Sequence, residues 1–156
     1  MVTAELRPKG PYSLRLSGRL ASDSTRVVSN GTYRATVRVD DRREQAHALQ
    51  RSDGTIVVTA ESEAGVDHVR FALALDDDHS EFVRRFADDP LLCETLRRVR
   101  GLRPVRTGTV AQALLRAVAG QLIHAREARR IERRVIQLAC PARDGLHAPP
   151  TAAELG

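Results

Sequence analysis

The sequence has no tryptophan, one methionine, two cysteines and few aromatic residues in a chain of 156. With the aromatics limited to Tyr12, Tyr33, Phe71, Phe82 and Phe86, stacking along a single-stranded nucleic acid has no platform. Cys93 and Cys140 are isolated, without C-x-x-C spacing, which argues against a disulfide scaffold or a structural zinc and for a reducing compartment. His47, His68, His79, His124 and His147 are scattered likewise, so no metal site can be read, and neither metal nor cofactor is expected. The N-terminus lacks an apolar signal core, and no apolar run approaches the roughly 20 residues that span a bilayer. A cytoplasmic protein with no membrane partner is expected.

Lysine is nearly absent too, and arginine takes its place. Of 25 basic residues only Lys9 is not arginine, and the net charge is +5. A coding bias towards arginine explains that total as well as a functional need does. Position says more: up to Cys93 there are 13 basic and 15 acidic residues, and from Glu94 onward 12 and 5. The positive excess therefore lies in the second half. A chain of this length forms one domain or two small ones.

From Pro11 to Leu75 the apolar period is two. Tyr12, Leu14, Leu16 and Leu20 alternate with polar residues, as do Tyr33 to Val39, Ile56 to Ala60, and Val69 to Leu75. Ser29–Gly31, Asp40–Asp41, Ser52–Gly54 and Glu63–Gly65 carry turn chemistry between them, and Glu44–Gln50 is a weaker strand candidate. About five antiparallel strands with one wet face are expected. At Asp76, Asp77 and Asp78 the period changes to 3.6, which places a boundary near Leu75 and helices from near Asp78, Asp89 and Thr109. A further helix, Ala125 to Ala139, should turn Ala128, Ile131, Val135 and Leu138 inward and most of its arginines outward.

The central helix starts at Thr109, with Gln112 as capping-box partner. Val110, Leu114, Val118 and Leu122 recur every fourth residue, so this stripe is expected to be buried. Gly120 and Gln121 break the pattern near its end.

The run R-A-V-A-G-Q-L-I, Arg116 to Ile123, resembles R-A-I-L-G-Q-[QL]-V of the bacterial DNA-3-methyladenine glycosylase II type, in the helix-hairpin-helix DNA glycosylase superfamily. D-P-L-L at Asp89, G-L-R-P at Gly101 and P-T-A-A-E-L at Pro150 agree in order and spacing, so the resemblance runs through the second half. The first half is similar in pattern more than in residues. The resemblance implies an α+β protein, with an antiparallel sheet domain over residues 1–76 and part of a helical glycosylase domain over residues 77–156.

It also implies a partner, double-stranded DNA with a damaged base, and base-excision repair of alkylated bases by hydrolysis of the N-glycosidic bond. Such an enzyme must extrude its target base, and an apolar wedge from the minor groove can hold the gap. The leucine of G-Q-L, here Leu122, is the implied wedge; Gln121 lies beside it where the family has a polar residue. From periodicity alone, Leu122 continues the stripe of Leu114 and Val118 and is core. His124 stands where many relatives have a small hydroxyl residue capping the next helix. It would meet a phosphate or simply sit solvated at a helix end.

Arg126 belongs to a set with Arg97, Arg98, Arg100, Arg103, Arg106, Arg130, Arg133 and Arg134 that could neutralise phosphates, or merely form a solvated surface. The family's catalytic aspartate follows a hairpin that would come after Gly156, so no catalytic residue is assigned. Asp144 and Glu154 lie in other contexts. Thr151 and Glu154 form a capping-box pattern that announces a helix, and the sequence ends one turn later, so a fragment is expected. Tryptophan, which the best-known relatives stack on alkylated bases, is missing. Two rival readings are a non-catalytic DNA-binding module on this scaffold and an unrelated α+β interaction domain.

Overall fold

A computed structural model describes residues 1–121 and 123–156; Leu122, the implied wedge, lies outside the described residues. The protein is α+β. Five strands form one antiparallel sheet in the order β1-β5-β4-β3-β2: β1 Val2–Leu6, β2 Arg26–Ser29, β3 Thr32–Val39, β4 Arg42–Gln50 and β5 Ile56–Ala60. Asn30 and Gly31, both at positive φ, close the β2–β3 hairpin as a two-residue turn requires. Alternate residues of β3, β4 and β5 (Tyr33, Ala35, Val37; Ala46, Ala48; Ile56, Val58, Ala60) form the buried face. Against them pack Val66, Val69, Leu73 and Leu75.

Two strand expectations are corrected. The Val69–Leu75 segment belongs to helix α2, Glu63–Ala72, and the loop that follows it. Its apolar residues fit either period, and the deciding signal lies upstream: the Ser62 hydroxyl accepts from the Gly65 amide and so caps a helix. Glu63–Gly65 is thus the first helical turn, and Gly65 lets α2 approach β5, since a Cβ there would come within 3.0 Å of the Ala60 Cβ. Likewise Tyr12–Leu20 is not a strand. Ser13 caps the short helix α1, Leu14–Ser17, and a 3₁₀ turn, Gly18–Leu20, follows. The strands β1 and β2 take the places of these two segments in the sheet.

Helices α3 (Ser80–Arg85), α4 (Cys93–Arg98), α5 (Val110–Ala119) and α6 (Ala125–Ala139) follow, and then a small hairpin of β6 (Ala142–Arg143) and β7 (Leu146–His147). Asp78 and Asp89 hold the turns that lead into α3 and α4, their side chains accepting from the amides of Ser80 and of Leu91 and Leu92. Thr109 caps α5 through the Gln112 amide. The Gln112 carbonyl oxygen reaches back to the Gly108 amide at 2.9 Å, one residue earlier than a capping box would have it.

The inward faces of α5 and α6 differ from the expected ones. In α5 it is Gln112 that is buried, while Val110, Leu114 and Val118 are 78%, 60% and 70% exposed. In α6 the buried residues are Ala128, Glu132 and Ile136, and Leu138 is exposed. Periodicity selects the most apolar side of each helix, whereas the side each turns inward has a polar residue in it, Gln112 in α5 and Glu132 in α6.

The C-terminal turn folds back on the sheet. Thr151 and Glu154 form both hydrogen bonds of their capping box, and Arg38 and Arg43 clamp the Glu154 carboxylate at 2.7 and 3.0 Å. Burial alone would raise the pKa of Glu154, but the Thr151 amide and the two guanidinium groups outweigh it and bring it down from 4.5 to about 2. His68, half-buried, is also lowered from 6.5, first by burial and then by the Arg26 cation. In both cases the folded state holds the proton less tightly than the unfolded chain, so stability is lost as pH falls. Melting temperature should therefore drop first below pH 6.5 through His68, then between pH 4.5 and about 2 through Glu154. His68→Gln should remove the upper step and Glu154→Gln the lower. An acid titration unchanged by either substitution would contradict these assignments.

Candidate nucleic-acid interface

The α5–α6 junction carries the residues singled out from the sequence. Helix α5 ends at Gly120, whose amide donates to the Arg116 carbonyl at 3.0 Å. Gln121 is exposed, its amide donating to the Val118 carbonyl. His124 is the extended residue before α6; its ring caps nothing and is exposed. Arg126 follows in the first turn of α6, also exposed, and forms no ion pair with any described residue. Gln121, His124 and Arg126 thus occupy one exposed turn and the helix start after it, and the missing cap leaves the first α6 amides unsatisfied by a side chain. Leu122 belongs to the same junction by sequence and is not described.

The arginine set divides. Arg97, Arg98, Arg100, Arg126, Arg133 and Arg134 are exposed on α4, just beyond it, and on α6, while Arg130 pairs with Glu127 at 2.6 Å. Arg103 and Arg106 are not available for phosphates. Arg103 is buried, donating to the carbonyls of Ala74, Lys9 and Pro11 and lying over the Tyr12 ring. One guanidinium nitrogen of Arg106 donates to both carboxylate oxygens of Asp77 at 2.9 Å, and the group stacks on Phe71. The two tie the segment after α4 to α2, to the turn that follows α2 and to residues 9–12. Gly101 permits that approach, since a Cβ at its φ of +84° would come within 2.9 Å of the Tyr12 carbonyl carbon.

One feature was not read from the sequence. The Arg116 guanidinium holds both carboxylate oxygens of Glu132 at 2.7 to 3.1 Å and reaches Asp23 at 2.9 Å. Burial works against its charge, but Glu132 and then Asp23 prevail and raise its pKa. Around this cluster, between α5, α6 and residues 21–24, lies a cavity of about 310 Å³ with Arg129 and Arg133 at its wall. The available signal was Glu132 itself, a carboxylate midway between Ala128 and Ile136 on one face of α6. Of the carboxylates without an assigned role, Glu154 is engaged by Arg38 and Arg43, and Asp144 forms the β6–β7 turn at positive φ. No group of three or more potential metal ligands occurs among the described residues, and no described helix is long and apolar enough to cross a membrane.

No protein-family model matches the chain, and no curated protein matches it. Solved structures do. The chain is similar to a 3-methyladenine DNA glycosylase from Archaeoglobus fulgidus, with a TM-score of 0.76, 20% identity, and coverage of 99% of this chain and 57% of that one. It is similar to MBOgg1, solved with a low-affinity DNA ligand, with a TM-score of 0.72, 16% identity, and coverage of 99% and 54%. The 8-oxoguanine glycosylase/lyase of Clostridium acetobutylicum, bound to double-stranded DNA with cytosine opposite 8-oxoguanine, gives a TM-score of 0.67, 15% identity, and coverage of 99% and 56%. The chain spans a little over half the length of each. It has the fold of that portion of these DNA glycosylases.

Proposed function

We propose, starting from that shared glycosylase fold, that the chain is the DNA-opening portion of a base-excision enzyme that extrudes and excises alkylated bases. Residues 1–76 form the sheet domain that supports it, and residues 77–156 contribute the first helices of the glycosylase domain. Gln121, His124 and Arg126 meet the duplex at the α5–α6 junction, and Leu122 enters the stack as the wedge. Hydrolysis of the N-glycosidic bond belongs to an aspartate in the half of the fold that this chain does not span.

The observation that carries the reading is the junction itself: a polar amide, an imidazole and an unpaired guanidinium stand exposed around a helix start in a chain with a glycosylase fold. Base extrusion costs a few kcal/mol, and contacts of this kind to the opened pair and its phosphates can offset it. The choice of alkylated over oxidised bases rests on the G-Q-L run, Gly120 to Leu122. Residues 1–156 should bind duplex DNA weakly, with an affinity that falls steeply with salt, and should release no base. Fluorescence anisotropy at several salt concentrations, paired with an assay for free base, tests this. Binding that ignores salt, or base release by the chain alone, would count against the proposal.

The exposed stripe of Val110, Leu114 and Val118 fits the same reading, because an uncovered apolar face of this kind marks a surface that something else packs against. The rest of the glycosylase fold is the proposed cover. Residues 1–156 should bind an apolar-sensing dye and associate, and both should diminish when that second half is appended. A dye-silent, monodisperse chain would contradict it.

A further inference from the structure

The Arg116 cluster is not used by the proposal above, yet it stands directly behind the junction. Arg116 lies in the last turn of α5, Glu132 at the middle of α6, and Asp23 in the loop before β2. Asp23 is itself held: one oxygen accepts from the Thr25 amide and hydroxyl, each at 2.7 Å, and the other lies 3.3 Å from the Arg26 guanidinium. Arg26 is buried and donates to the main-chain carbonyls of Ala21 and Arg106. One guanidinium thus joins both helices that flank the junction to the sheet domain.

Stability alone does not call for this arrangement. Glu132 is buried between Ala128 and Ile136, where an apolar side chain would pack, while the Arg116 side chain is 39% exposed, and a pair half open to solvent contributes little stability by itself. What a bidentate pair adds is geometry, because a planar fork fixes its partner in direction as well as distance. The pair joins the last turn of α5, just before residues 120–124, to the middle of α6, about two turns after them.

We infer that Arg116 is a positioning residue: without touching DNA, its bidentate pair with Glu132 and its link to Asp23 fix the α5–α6 junction against the sheet, so that Gln121, His124 and Arg126 meet the duplex in one arrangement. The inference rests on the DNA-binding reading above. Lysine at this position keeps the charge and loses the fork. Gln at position 132 keeps the volume and loses the charge.

The test compares Arg116→Lys, Glu132→Gln and Arg126→Ala in the full chain. Hydrogen exchange is followed by mass spectrometry, and binding is measured to a duplex carrying a stable abasic analogue. In Arg116→Lys and Glu132→Gln, exchange over residues 120–125 should quicken while β3 and β4 stay protected, and affinity should fall about fivefold or more. Their salt dependence should match the wild type, whereas Arg126→Ala should lower the salt slope by about one. A merely structural role would change the melt and leave affinity per folded molecule intact, which overturns the inference. So does unchanged exchange at the junction, or a reduced salt slope in Arg116→Lys, which would make Arg116 a phosphate contact. A wild-type chain that binds no duplex defeats the functional reading itself, and the exchange data then decide alone whether Arg116 fixes the junction.

Discussion

Arg103→Ala is expected to remove at least about 3 kcal/mol of folding stability, because charge-assisted hydrogen bonds contribute about 1.5 to 3 kcal/mol each and the truncation also leaves a cavity. The side chain is 1% exposed and is bound by main-chain carbonyls of Ala74, Lys9 and Pro11, with the Tyr12 ring centroid 5.2 Å from its guanidinium carbon. Its backbone amide adds a bond to the Ser17 hydroxyl at 2.9 Å. The substitution takes the guanidinium donor from all three carbonyls, of which that of Ala74 keeps the Asp77 amide. Against a total of about 5 to 15 kcal/mol, such a loss is roughly a fifth to more than half of the folding stability. Arg103→Lys should be milder, since an ammonium can satisfy some of the carbonyls but not with a planar fork. A thermal melt of Arg103→Ala shifted by less than about 3 °C would show that the guanidinium contributes little.

The second large effect concerns activity. In a chain extended by the second half of the glycosylase fold, Leu122→Ala should lower excision of an alkylated base by about 1 to 3 kcal/mol of lost transition-state stabilisation, roughly 5- to 150-fold. The competing core reading predicts a loss of stability of about 2 to 5 kcal/mol instead. Leu114 and Val118, whose stripe that reading would have Leu122 continue, are themselves exposed in this chain. Excision per folded molecule separates the two. If it is unchanged while the fold weakens, Leu122 is core.

The sheet was legible where strand and turn signals coincided. Tyr33 to Val39 and Ile56 to Ala60 alternate cleanly, and Asn30–Gly31 and Asp53–Gly54 supply the turns between strands. Val2–Leu6 is a short edge strand with only half-buried apolar residues, which gives it a weak signal, and in Arg26–Ser29 an arginine occupies a buried strand position. That burial depends on partners 80 residues away, since Arg26 donates to the Arg106 carbonyl. Distance in sequence hid the site's scaffold in the same way. Gln121, His124 and Arg126 could be found from a local run, but nothing local links Asp23 to Arg116 and Glu132. The helix faces were misjudged because apolar periodicity reports the side most in need of cover, and in α5 that side remains uncovered within this chain.

In the proposed function this chain opens DNA and does not cut the glycosidic bond. This is tested most directly by mixing residues 1–156 with a duplex containing a fluorescent adenine analogue whose emission rises when it leaves the stack. Emission should rise saturably with the wild-type chain and much less with Leu122→Ala at equal occupancy, with no free base in either case. Bound duplex with no change in emission, or an equal rise from both proteins, would contradict it.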